Sequence, residues 1–120
     1  MKLIITHSIR KTEVKTLGGD ALLSVLKEGA RKSIFGPHID LSSVSPGLFK
    51  IAITSPHGHL RAAYFVKGSI VFFVVLRKKG EKKIGENMSK QNADFLDLID
   101  RNFDRILEES KSGDYEEISL

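Results

Sequence analysis

Five of the seven residues from Arg77 to Lys83, "RKKGEKK", are basic, and they follow directly on seven apolar residues, Ile70 to Leu76. Guanidinium and ammonium groups fixed at the end of a buried strand suit an anionic ligand, because the strand holds them still. The same run also reads as a solvated exit loop, and its composition leaves both readings open. Strand alternation sends Arg77 and Lys78 to opposite faces, so the five cations do not all serve one site. Upstream, Arg61 in "HLRAAYFV" alternates with Ala63, a small neighbour that leaves its planar fork room to bind phosphate through two nitrogens. Lys50 in "LFKIAIT" shares a strand face with Ala52 and Thr54. His57 and His59 flank the turn before Arg61, and histidine suits proton transfer near neutral pH. Their H-x-H spacing has no third ligand nearby, so no metal is expected.

The elements that must position these groups are legible as runs. "KLIIT" (2–6) is a short β-branched strand. Ile9, Val14 and Leu17 then lie on one helical face, with Ser8 as the expected cap and Gly18-Gly19 as the stop. Asp20 is expected to cap a second helix in which Leu22, Val25, Leu26 and Ala30 form the apolar face, and the two helices are expected to pack as a hairpin. Residues 35–47 read as a loop, with His38 structural or incidental. Runs at 48–54, 59–66 and 69–77 follow with short connections, predicting an antiparallel meander whose last strand is the most deeply buried. Ser89 is expected to cap a final helix with Phe95, Leu96, Ile99, Phe103, Ile106 and Leu107 as its buried stripe. The order is βααβββα: a small single α+β domain over residues 1–109, a two-helix hairpin and a C-terminal helix packed with a mostly antiparallel sheet. Residues 110–120 read as a frayed acidic tail.

The chain's 120 residues suffice for one ordinary domain, and 41% hydrophobic with 28% charged residues is a globular balance. The absence of cysteine excludes disulfides and thiolate metal sites and fits a reducing cytosol. The longest apolar run falls far below the roughly 20 residues a membrane span requires. "MKLIITHSIRK" lacks the apolar core and cleavage site of a signal peptide. A cytoplasmic protein without membrane contact is therefore expected. The net charge of +4 divides into +10 over residues 1–92 and −6 from Ala93 onward. Such a body attracts polyanions, nucleic acid or an acidic protein, although lysine-rich surfaces also serve solubility alone. The split raises the further expectation that the acidic tail folds over the basic face.

The element order, "GLFKIAIT", the arginine of "GHLRAAYF" and the apolar strand ending in "LRKKGEKK" together resemble the RelE/ParE superfamily of bacterial toxins. The spacing from "RAAYF" to "VVLRKKGEKKIGENMS" is most similar to the HigB branch. Element order carries the resemblance over about residues 1 to 100, and specific residues carry it over about 47 to 92. It implies the toxin of a type II toxin–antitoxin system: a ribosome-dependent endoribonuclease, or mRNA interferase, that inhibits translation and arrests growth. It also implies a cognate helix-turn-helix, HigA-like antitoxin as partner, messenger RNA and ribosome as target, and no cofactor. The alternative within the superfamily is a ParE-like or catalytically degenerate toxin that binds a protein such as gyrase; a plain basic RNA-binding module is a third reading. In the cutting members a 2′-hydroxyl attacks the adjacent phosphate on a basic sheet face, leaving a cyclic phosphate and a 5′-hydroxyl. On this chain the resemblance points to Arg61, Lys79, Arg77 and Lys50 for catalysis and to Lys78, Lys82 and Lys83 for RNA contact, while histidine chemistry adds His59 to the catalytic candidates and His57 to the RNA contacts. Ala52 and Thr54 stand where relatives often carry lysines, which weakens the case for a strong base on that strand.

Overall fold

The β-branched and aromatic runs become strands of one six-stranded sheet in the computed structural model, which describes residues 1–15, 23–35, 38–55 and 58–120. The strands are β1 (Lys2–Thr6), β2 (Ile39–Asp40), β3 (Leu48–Ser55), β4 (Gly58–Lys67), β5 (Ile70–Lys78) and β6 (Tyr115–Ser119), in the spatial order β2-β3-β4-β5-β1-β6. Neighbours are antiparallel except β1 and β5, which run parallel. The helical elements are α1 (His7–Ile9), a π-helical turn (Arg10–Val14), α2 (Leu23–Phe35) and α3 (Ala93–Ser112). The chain is thus a small α+β domain with a mixed sheet, and none of its described helices is long and apolar enough to cross a membrane.

The meander forms as expected. Lys67 pairs with Ile70 across a Gly68-Ser69 turn, where Gly68 takes φ +61°, a conformation that suits glycine. The register between β4 and β5 shifts between Ala63 and Tyr64, leaving Val74 as an extra residue on β5. Val71 and Phe73 to Leu76 are all buried, which accounts for the unbroken apolar run. One sheet face packs on α2: Gly29 lies so close to Ile51, Ile53 and Tyr64 that a Cβ would sit 2.9 Å from the Ile53 Cδ1. Tyr64, fully buried as its strand phase requires, donates its hydroxyl to the Leu26 carbonyl at 3.2 Å. On the other face α3 packs Phe103 edge-on to Phe65, with ring centroids 5.2 Å apart.

Several expectations about the helices change. α2 packs on β3 and β4, and α1 and the π turn lie against α3 and β5, while the join of the expected hairpin, with Leu17 and Leu22, lies outside the described residues. Gly18-Gly19 and Asp20 lie outside the described residues. Ser8 caps nothing with its own side chain; its amide and hydroxyl both donate to the Glu109 carboxylate of α3, at 3.0 and 2.8 Å. The cap of α3 is Asn92, which accepts from the amides of Asp94 and Phe95, because Ser89 donates instead to the Asn87 side chain. The buried stripe of α3 is Phe95, Leu98, Ile99, Asn102 and Ile106, and Leu107 is exposed. That stripe keeps helical spacing only by admitting a polar residue, Asn102.

The acidic C-terminus is not frayed. It forms β6 along β1, from Lys2 opposite Ser119 to Thr6 opposite Tyr115. Glu117 pairs with Lys2 at 3.3 Å and Glu116 with Arg10, so its acids meet local cations at the far end of the sheet from β2 and β3. The segment therefore does not cover the basic face. Residues read as a structureless loop also yield β2, whose Ile39 lies opposite Lys50.

The parallel ladder of β1 on β5 ends at Ile4 opposite Phe72. Beyond it, side chains take the place of a neighbouring strand. Asn102 Nδ2 donates to the Val74 carbonyl at 2.9 Å, and the Leu76 amide donates to Glu13 Oε1 at 2.9 Å. Removing either partner strands a buried backbone group. Asn102→Ala should cost about 1–3 kcal/mol. Glu13→Ala, which also deprives Arg77 of its carboxylate, should cost about 2–3 kcal/mol. Urea denaturation measures both, and losses below about 0.5 kcal/mol, the scale of ordinary surface substitutions, would deny these bonds their role.

Candidate functional site

Lys50 and Arg61 stand on the same sheet face as Phe65 but toward the end that α3 leaves open. Register makes this so: Lys50 is opposite Ala63, and Ala52 is opposite Arg61. The face there forms a cleft of about 310 Å³ lined by His38, Ile39, Lys50, Ile51, Ala52, Arg61 and Lys79. A shallower depression adjoins it, lined by His59, Arg61, Lys78, Lys79, Glu81 and Glu86 together with Gly58 and Gly80. Arg61 and Lys79 border both.

The segment after β5 gives the cleft its wall. Ile84 and Met88 are buried and anchor it to the core. Glu81 Oε1 accepts the amides of Ile84 and Gly85 at 2.5 and 3.0 Å, folding the segment into a tight turn. Burial pushes the Glu81 carboxyl up, but those two amides with Arg77 and Lys83 outweigh it and hold it below the usual carboxylate value. A Cβ on Gly85 would overlap the Lys78 carbonyl, so only glycine fits this approach. The turn's carbonyls then point at the cations: Arg61 Nη1 donates to Gly85 O at 3.1 Å and Glu86 O at 3.0 Å, and Lys50 Nζ donates to Met88 O at 3.1 Å.

Such bonds fix direction without cancelling charge. Among the described residues, Nε and Nη2 of Arg61 have no protein partner and remain able to grip two oxygens of a phosphate. Burial and the neighbouring Arg61 charge both lower the Lys50 pKa, so its ammonium releases a proton more readily than a surface lysine. Two cations held together in a cleft, one of them a weakened ammonium, can bind an anion and accept a proton beside it.

The other expected site residues divide. Lys79 lines the cleft, exposed, with its amide bonded to the His59 carbonyl at 2.9 Å. His59 is exposed and borders the adjoining depression, as does Lys78, which lies opposite Leu60 and so on the other face from Arg61. Lys82 and Lys83 are exposed on the turn and line neither hollow. His57 lies outside the described residues. Arg77 sits directly opposite Arg61 in the β4–β5 register, yet its guanidinium turns away to Glu13, to the Leu76 carbonyl at 2.9 Å and to Glu81 at 3.2 Å. It lines neither hollow and is committed to the fold.

The sequence reads His38 as structural or incidental and gives no role to Ile39. Their only sequence signal is the alternation "HIDL" inside a proline- and serine-rich loop, too short to announce a strand. Glu13 was equally quiet, one acid among the polar residues of a short helix.

If Arg61 contributes to the lowered Lys50 pKa, Arg61→Met should move that pKa back toward the ordinary lysine value. An NMR titration of isotopically labelled Lys50 reads this directly, and an unmoved midpoint would remove Arg61 as a cause. No protein-family model, no curated protein and no solved structure matches the chain.

Proposed function

We propose that this chain is a HigB-like toxin of the RelE/ParE superfamily, a ribosome-dependent endoribonuclease that arrests translation by cutting messenger RNA. The observation that carries the reading is the convergence of Arg61, Lys50 and Lys79 in one cleft on an open sheet face. Three cations so held suit the dianionic phosphorane-like transition state of phosphoryl transfer, where charge gathers on the non-bridging oxygens. In this reading the Lys50 amine takes the proton of a ribose 2′-hydroxyl, and O2′ bonds to the adjacent phosphorus. The P–O5′ bond breaks, and His59, across the Arg61–Lys79 pair from Lys50, protonates the departing O5′. The products are a 2′,3′-cyclic phosphate and a 5′-hydroxyl, and no metal or cofactor takes part. Lys78, Lys82 and Lys83 would add salt-sensitive contacts to flanking phosphates or ribosomal RNA. A cognate antitoxin, HigA-like with a helix-turn-helix, would neutralise the toxin.

A second reading has its own support. Ala52 and Thr54 leave the strand with one lysine, and that lysine is hydrogen-bonded to a main-chain carbonyl. A ParE-like or degenerate toxin acting on a protein such as gyrase would need no base there.

Induced expression of the wild type and of Arg61→Ala, with growth followed and messenger 5′ ends mapped, separates the two. The nuclease reading expects arrest with new ribosome-dependent 5′ ends, and a loss of cleavage of about 10²-fold or more in the variant. Arrest with DNA damage and intact messages would overturn it in favour of the second reading.

A further inference from the structure

Lys50 has chemistry beyond proton transfer, because an amine that has lost its proton is also a nucleophile. Its side chain is half-buried, whereas Lys79, Lys82 and Lys83 are exposed. Nζ donates to the Met88 carbonyl at 3.1 Å, which holds the nitrogen in place. A carbonyl only accepts, so in the neutral amine the lone pair stays uncommitted. Ile39, directly opposite on β2, sets an apolar side chain beside the lysine on the same sheet face. Burial and the Arg61 charge both favour the uncharged amine.

Arg61 is the diagonal neighbour of Lys50 in the ladder: Lys50 pairs with Ala63, and Arg61 lies two residues before Ala63 on the same face. Long side chains reach one another across such a diagonal. The segment after β5 gathers both heads, Arg61 at the Gly85 and Glu86 carbonyls and Lys50 at that of Met88. Nε and Nη2 of Arg61 stay open to two oxygens of one phosphate. Among the described residues lining the cleft of about 310 Å³ none is acidic, so a phosphate on Arg61 and Lys79 meets no like charge in its lining. A nucleophile beside a phosphate grip suits a small ligand whose electrophilic carbon adjoins its phosphoryl group. An acyl phosphate is such a molecule, with one bridging oxygen between phosphorus and the carbonyl carbon.

We infer that Lys50 is a site of covalent acylation by small acyl phosphates, which Arg61 and Lys79 hold by the phosphate. Once the ammonium has given a proton to water, the amine attacks the carbonyl carbon. The N–C bond forms, the bond from that carbon to the bridging oxygen breaks, and the phosphate leaves with its electron pair. The surplus proton on nitrogen passes to the departing phosphate, so the products are an amide and hydrogen phosphate. Arg61 assists by holding the charge that gathers on the leaving group. Acylation turns an ammonium into a neutral amide that no longer accepts a proton. Only the consequence rests on the nuclease reading, in which the modified chain has lost its base; the acylation stands without it.

The test incubates the purified chain with acetyl phosphate and, separately, with the N-hydroxysuccinimide ester of acetic acid, which has no phosphate. Peptide mass spectrometry reads the acetylation rate at each lysine. With acetyl phosphate, Lys50 should react at least about 10-fold faster than Lys82 and Lys83, which are exposed and line neither hollow. Inorganic phosphate should slow Lys50 and leave Lys82 and Lys83 unchanged. Arg61→Met should lower the Lys50 rate with acetyl phosphate about 10-fold more than the rate with the ester. That ratio cancels any change in the reactivity of the amine itself. Lys50 labelled no faster than Lys82 and Lys83, no competition by inorganic phosphate, or equal losses with both donors in the variant overturns the inference. The phosphate competition uses the wild type alone, so it decides the matter even where the variant does not fold. Phosphate-dependent acetylation of Lys50 in a chain that cuts no RNA upholds the site and removes only the nuclease reading.

Discussion

The amide of Leu76 has no β1 residue beside it, and the carboxylate that accepts its proton sets the terms for the rest of the molecule. Burial drives Glu13 toward its neutral form, and only the nearby Arg77 charge with the Leu76 and Thr12 bonds opposes this. A buried carboxylate so placed needs a cation, and Arg77 is that cation. Arg77 in turn fixes Glu81, Glu81 gathers the amides of Ile84 and Gly85, and the carbonyls of Gly85 and Glu86 aim Arg61. One unpaired backbone group on β5 is thereby connected, bond by bond, to the cation at the centre of the cleft.

This chain of contacts also resolves a conflict that the sheet would otherwise contain. Arg61 and Arg77 are cross-strand partners, and like charges directly opposite destabilise a ladder. Here they separate by taking different partners: carboxylates for Arg77, main-chain carbonyls for Arg61. The π turn contributes by placing Glu13 and Val14, adjacent in sequence, both in the interior. Its wider ring, closed by the Lys15 amide on the Arg10 carbonyl at 3.0 Å, is where the helix departs from the regular 3.6-residue period.

What the sequence disclosed follows from which forces act locally. The meander was legible because alternation, β-branching and short connections all report on neighbouring residues, and the same alternation set Lys50 on one face with Ala52 and Arg61 on one face with Ala63. The elements at the β1 edge were not. The stretch 115–119 looks polar because an edge strand buries little, and only pairing with β1 shows why it is ordered. Asn102 reads as an outward residue until the Val74 carbonyl gives it something to satisfy. Arg77 reads as a site cation alongside Lys79, since nothing local says that Glu13, 64 residues away, will claim it. Non-local hydrogen bonds, not hydrophobic periodicity, separate the structural arginine from the available one.

The two partner types have different electrostatic consequences. A carboxylate compensates the charge of the guanidinium it holds, and Arg77 has Glu13 and Glu81 both in contact. A carbonyl is a dipole without net charge, so Arg61 is oriented while its charge stays available to a ligand. Lys50 shares that arrangement through the Met88 carbonyl, and the mutual repulsion of the two cations is what an incoming anion would relieve. Binding and proton acceptance are linked through the same field. An anion placed at Arg61 would offset part of the charge that, after burial, lowers the Lys50 pKa. The small side chain of Ala52, opposite Arg61 in the ladder, leaves the two cations room to meet such an anion together.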